Sequence, residues 1–139
     1  MSVKVRILGA KQSAANIRKM TKAVRKRYYE EILKLSREIL AISKEKYVPY
    51  LHGPLKASGK VKGYPGRYPV VYTSFGNASV PYALLQHENL NFHHPGGKKA
   101  KYLELAVDDM KPEIKRRLEV ATRNETKKYS MAGRGIVRV

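Results

Sequence analysis

The sequence predicts an α+β fold: one long N-terminal helix, a second kinked helix and a small antiparallel sheet. Apolar residues recur at helical spacing over residues 17–42 and again over residues 103–121. A β-branched and aromatic run lies between them, bounded by prolines and glycines. Those three observations decide the class.

Val3, Val5 and Ile7 alternate with Lys4 and Arg6, which reads as a short half-buried strand ended by Gly9. From Ser13 the period changes. Ile17, Met20, Val24, Tyr28, Leu35, Ile39 and Ile42 form one stripe, with Ile32 between, on a helix from about Ser13 to Lys46. Ser13 is placed to cap it. Pro49 stops it, because the residue before a proline leaves the helical region. A helix of ~34 residues is ~50 Å long. That exceeds the diameter of a compact domain of this size, so one end projects or lies against a neighbouring subunit.

Residues 49–69, rich in proline and glycine, read as irregular. Val70 to Phe75 reads as a strand closed by Gly76-Asn77, and Val61 begins its hairpin partner. Pro81 opens a helical turn over Tyr82 to Glu88. Residues 89–97 form a polar loop. A second helix starts near Lys98, and Leu103, Ala106, Val107, Met110, Ile114, Leu118 and Ala121 hold one phase straight through Pro112. The constant phase predicts one kinked helix, since the proline frees only the carbonyl of Asp108. The end from Gly133 reads as an edge strand or a flexible arm. The second helix and the Tyr82–Glu88 turn are expected to pack on the sheet, leaving the first helix for intersubunit contacts.

The 139 residues are read as a single domain over 1–139, with extended or partner-ordered segments at 1–12, 49–69 and 127–139. An apolar fraction of 42% is too high for a disordered polycation. Without cysteine there are no disulfides, thiolate nucleophiles or thiolate zinc sites. The front carries no stretch apolar enough for a signal peptide, and the longest uncharged run, Tyr68 to Gln86, is broken by prolines and a glycine. A soluble protein made in a cytoplasm, with no membrane partner, is expected.

With 29 basic and 11 acidic residues the formal charge is +18. The excess is strongest in residues 1–29, which contain no acidic side chain. Arg18, Lys19, Lys22, Arg25, Lys26 and Arg27 crowd the first half of the first helix, at the positive end of its dipole. Helix stability does not explain cations there, which cost a few tenths of a kcal/mol each, roughly. The stripe faces phosphates, or an acidic protein partner, or simply solvent. No helix-turn-helix, zinc finger or RNA-binding sheet signature accompanies it.

His87-Glu88 with His93 and His94 is the cluster closest to a metal site. A zinc peptidase helix needs His-Glu-x-x-His, and Asn91 stands at the second histidine's place. The local reading has His87 and Glu88 packing together while His93 and His94 shape a loop. No nucleophile elbow or phosphate loop is present, and Glu30-Glu31 reads as a solvated charge pair. No catalytic residue, cofactor or metal is expected.

Three stretches in succession resemble the head–tail joining, or tail-completion, proteins of long-tailed bacteriophages, often called minor capsid proteins. Pro49 to Val61, with Leu55, Ser58 and Gly59, looks like their Thr-Gly-x-Leu-x-x-Ser stretch, with Gly53-Pro54 where Thr-Gly is usual. Pro81 to Glu88, with Tyr82, Ala83, His87 and Glu88, resembles a Tyr-Ala-x-x-x-His-Glu element. His94 to Ala106, with Gly97, Lys101, Tyr102, Leu103, Glu104 and Ala106, resembles the following glycine-to-Lys-Tyr-Leu-Glu-x-Ala element. Order and spacing agree, a long helix precedes them, and the match covers about residues 13–120. The heavy basic front is not a family hallmark.

The resemblance implies a structural subunit of the virion neck without enzymatic activity. It would form a homo-oligomeric ring, six copies favoured, between the head connector or adaptor and the tail terminator or tail-tube proteins. Double-stranded DNA would pass through the channel. Two other readings stand beside it: a basic nucleic-acid-binding protein, histone-like or ribosome-associated, and a metal-dependent nuclease using His87, Glu88, His93 and His94.

Overall fold

The computed structural model describes residues 9–49, 53–93 and 95–132. Helix α1 runs Ala10–Ile42 and continues as a π-helical turn, Ser43–Tyr47. It starts earlier than the sequence predicts. Gly9 takes a left-handed φ of 85° and its carbonyl accepts from the Ser13 N–H at 2.8 Å, so Ser13 lies inside the first turn and does not cap it. At the other end the Val48 N–H reaches back to the Ser43 carbonyl at 2.8 Å, the wide i→i+5 closure. Pro49 follows and has no N–H to continue the ladder.

Residues 49–69 are more regular than expected. They hold a one-turn helix α2, Pro54–Ala57, and strand β1, Lys60–Tyr64, which pairs antiparallel with β2, Val70–Ser74. Lys60 faces Ser74 and Tyr64 faces Val70 in this two-stranded hairpin. Its apolar alternation starts at Val61, as read, but the prolines on either side hide the strand in composition. Val61, Gly63, Val71 and Thr73 are half-buried on the side facing α1, while Lys62, Tyr64, Val70 and Tyr72 point outward. Gly63 permits the close approach: a Cβ there would lie 2.5 Å from the Tyr29 hydroxyl.

Helix α3, Ala83–Glu88, is followed by a short 3₁₀ turn, Pro95–Gly97, and by helix α4, Tyr102–Ala132. Helix α4 carries Pro112 without interruption and extends through residues 127–132, which sequence placed in the extended tail. The Val3–Ile7 strand and the Gly133–Val139 tail lie outside the described residues.

The packing differs from expectation. Helix α4 lies antiparallel along α1, not on the sheet, and it is α1 that supports the hairpin. Leu35 and Ile39 of α1 interlock with Ala106 and Met110 of α4, flanked by Ile42, Ile114 and Leu118. A second cluster joins Val48, Leu55, Val80, Ala83 and Tyr102. The long stripe on α1 is therefore buried in its C-terminal half within the chain itself. Towards the N-terminus, Ile17 stays 58% exposed, beside an open groove shared with Met20 and Tyr129. Among the described residues no helix is long and apolar enough to cross a membrane.

Candidate functional site

Tyr102 is the point where the three family-like stretches meet. It opens α4 and is 1% exposed. Its hydroxyl donates to the Ala83 carbonyl at 3.0 Å, and its own carbonyl accepts from Ser43 Oγ at 3.0 Å. Phe75 and His87 meet its ring edge to face, with centroids 5.1 and 4.6 Å away. The residue thus ties the π-helical turn after α1, the residue following β2, α3 and α4 together. Burial, and then the negative charge of Glu88, pushes the Tyr102 phenol up to about 12. The neutral phenol is the form that fits this site.

Around that ring the other residues have structural work. Ser58 Oγ donates to the Leu55 carbonyl at 2.7 Å and accepts the Gly76 N–H at 2.8 Å, fastening α2 to the turn after β2. A Cβ on Gly59 would sit 2.6 Å from both Lys44 Cε and Phe75 Cε1, so only glycine passes here. Lys44 Nζ donates to the Gly59 carbonyl at 3.1 Å. Leu103 packs on the Tyr102 cluster, and Ala106 is fully buried against α1. Tyr82 and Gly97 are exposed and lie off the cluster.

The polar rim is ionic. Lys101 Nζ binds Glu88 and lies 3.3 Å from Glu104, while His87 Nδ1 sits 2.7 Å from the other oxygen of Glu88. The Lys101 ammonium, and then His87, hold the Glu88 carboxyl below its usual range, and Glu88 in turn raises Lys101. Lys101 has a φ of 57°, and its N–H donates to the His87 carbonyl at 2.7 Å. Its own carbonyl accepts the Leu105 N–H at 2.9 Å, which starts α4. A left-handed backbone costs a non-glycine residue about 1 kcal/mol, and these bonds offset it.

His87, Glu88 and Glu104 bring ligand atoms within 4.8 Å of one another. This donor set does not fit a divalent ion, because the Lys101 ammonium already stands at both carboxylates as their cation. His87 Nε2 is buried without a hydrogen-bond partner among the described residues, and its ring meets Tyr102 edge to face. His93 is exposed and not part of the group, and His94 lies outside the described residues.

Sequence reading missed the polar seam between α1 and α4. Glu31, read as solvated, is 5% exposed. Arg117 reaches it at 2.7 Å and clasps Glu38 with 2.7 and 2.8 Å contacts, and Arg27 adds a 3.4 Å contact to Glu31. Further along, the Tyr47 hydroxyl donates to Asp109 at 2.7 Å, with Lys46 at 3.3 Å. Tyr47 and then Lys46 hold the Asp109 carboxyl below its usual range. Apart from Arg27 and Glu31, four residues apart, the partners are 62–86 residues apart in sequence, so no local spacing signals them.

The basic stripe divides. Arg27 is drawn into ion pairs with Glu30, at 3.7 Å, and Glu31. Arg18, Lys19, Lys22, Arg25 and Lys26 are exposed and pair with no described carboxylate. Lys22, Arg25 and Lys26 line a groove closed by Tyr29 and by Pro65 and Gly66 of the hairpin loop.

Comparison with family models, curated proteins and solved structures finds no match.

Proposed function

We propose that this chain is a structural subunit of the phage head–tail interface, a tail-completion or neck ring component without catalytic activity. One observation carries the reading. Three short stretches that resemble one family in sequence converge on one buried cluster around Tyr102, the first through Leu55, the second through Ala83 and His87, and the third through Tyr102 itself. Residues spent in this way hold a shape; they do not turn over a substrate.

The rest of the molecule suits the role. The paired helices α1 and α4 supply a stiff body. Leu84, Leu85, Leu90 and Phe92 stay exposed on and after α3, an apolar surface for neighbouring copies or adjoining shells. The subunit forms a homo-oligomeric ring, six copies favoured, between the head connector and the tail-tube side, around the DNA channel.

The test is assembly. A phage deleted for the protein is expected to accumulate filled or leaking heads beside separate tails. Joined, infectious virions from that deletion would overturn the proposal.

A further inference from the structure

The two longest stretches of the chain without an acidic residue are 1–29 and 46–87. They are remote in sequence, yet the fold lays the second against the first. The hairpin sits on α1, and its loop, Pro65 and Gly66, forms one wall of the groove lined by Lys22, Arg25 and Lys26. The loop continues into Arg67 and Tyr68, and Tyr68 is 79% exposed. Lys62 on the outer face lies 5.2 Å above the ring of Tyr64, the last strand residue before the loop. The result is a groove lined by three cations of α1 and walled by the hairpin loop, with Arg67 next to that wall in sequence and Lys62 on the outer face of the same hairpin, and with no described carboxylate paired to any of them.

We infer that this surface binds the phosphate backbone of duplex DNA, independent of base sequence. Surplus charge spread evenly would be a matter of solubility. Here three cations line one groove where two acid-free elements meet, with Arg67 and Lys62 on the hairpin that walls it, and the two arginines among the five carry the planar fork that fits phosphate oxygens. The tyrosines favour a duplex over a single strand. A single-strand platform needs open aromatic faces for bases to stack on. Arg67 lies 5.6 Å over the Tyr68 ring, Lys62 covers Tyr64, and Tyr64 meets Tyr72 edge to face at 5.9 Å. One face of the Tyr64 ring and one of the Tyr68 ring carry a cation, which reduces the stacking surface left to a single strand although the rings stay exposed to solvent. An acidic protein partner would meet the same charges, but a duplex alone offers a continuous line of them to a groove bordered by a helix and a hairpin tip.

The inference does not rest on the neck reading. Joined virions from the deletion would leave it standing, and a protein that ignores DNA would leave the ring reading standing.

The experiment measures binding of the full chain to a short mixed-sequence duplex across a salt series. One variant replaces Lys22, Arg25, Lys26, Lys62 and Arg67 by glutamine. A control replaces Lys34, Arg37, Lys111, Lys115 and Arg123, which removes equal charge elsewhere. The surface variant is expected to bind at least about tenfold more weakly, and its log–log salt slope to fall by about 4, while the control stays within about threefold. The double variant Lys22→Gln/Arg25→Gln gives the same test at smaller amplitude should the fivefold variant misfold. Equal losses in both variants would overturn the inference. So would tighter binding of single strand than of duplex, or displacement of duplex by polyglutamate at equal charge.

Discussion

The Tyr102 cluster and the α1–hairpin surface use polar side chains in opposite ways. At the cluster, the hydroxyls of Ser43, Ser58 and Tyr102 all have partners, and the charges of Glu88 and Lys101 bind each other. At the surface, Lys22, Arg25, Lys26, Lys62 and Arg67 pair with no carboxylate among the described residues. Buried polar groups must be satisfied or they cost free energy, so the first region specifies the fold. Exposed unpaired charge costs little, so the second is free to serve a partner. Stability and binding should therefore respond to different substitutions.

The largest effect is expected at the tyrosine. Tyr102→Ala empties the cluster centre and should lower unfolding free energy by about 3–5 kcal/mol in a denaturant titration. Tyr102→Phe keeps the ring and leaves the Ala83 carbonyl without its donor, so about 1–2 kcal/mol is expected. A smaller loss from Tyr102→Ala than from Tyr102→Phe would contradict a packing role.

Next comes the seam. Arg117→Met leaves the buried Glu31 with Arg27 alone and releases Glu38. A loss on the order of 2 kcal/mol is expected, below that for a fully buried pair because Arg117 keeps some water contact. Melting unchanged from the parent would show that Glu31 is not held by this residue.

The pH dependence is smaller and has a definite sign. The Asp109 carboxyl is held low by Tyr47 and Lys46, and Glu88 by Lys101 and His87. A lowered carboxylate contributes stability that is present above its unfolded range, about pH 4, and is lost as pH falls through its folded value. Asp109→Asn should therefore melt below the parent near neutrality, and the gap should close in acid. A gap that widens in acid would reverse the assigned direction.

The smallest stability effect belongs to the surface. Lys22→Gln with Arg25→Gln should change unfolding free energy by less than about 0.5 kcal/mol, as exposed substitutions do. The same pair is expected to weaken duplex binding, and Tyr102→Phe is not. A surface variant that melts early, or a tyrosine variant that loses DNA while folded, would dissolve the contrast between the two regions.

Local order was legible in the residues. The apolar phase of α1 and α4, the strand at Val70 and its partner at Val61 follow from spacing, because side-chain direction repeats every 3.6 or 2 residues whatever surrounds it. The phase also carried α4 through Pro112 correctly. Single-residue boundaries were less legible: Ser13 has the chemistry of a cap, but Gly9 reaches the left-handed turn more easily. Among the candidate residues, the three family-like stretches were recognisable one by one, without any sign of what joined them.

Tertiary structure alone decided which faces meet. Periodicity marks an apolar stripe but not its occupant, so the choice of α4 over the sheet as the partner of Leu35 and Ile39 lay outside the sequence pattern. The same holds for Glu31, whose neighbours in sequence describe a wet helix while Arg117, far along the chain, describes a buried pair. It holds again for the joining of two acid-free stretches into one surface. Composition set the amount of charge; chain reversal between α1, the hairpin and α4 set where it is neutralised and where it stays open to an anion, because electrostatic and packing energies depend on distance in space and not on separation along the backbone.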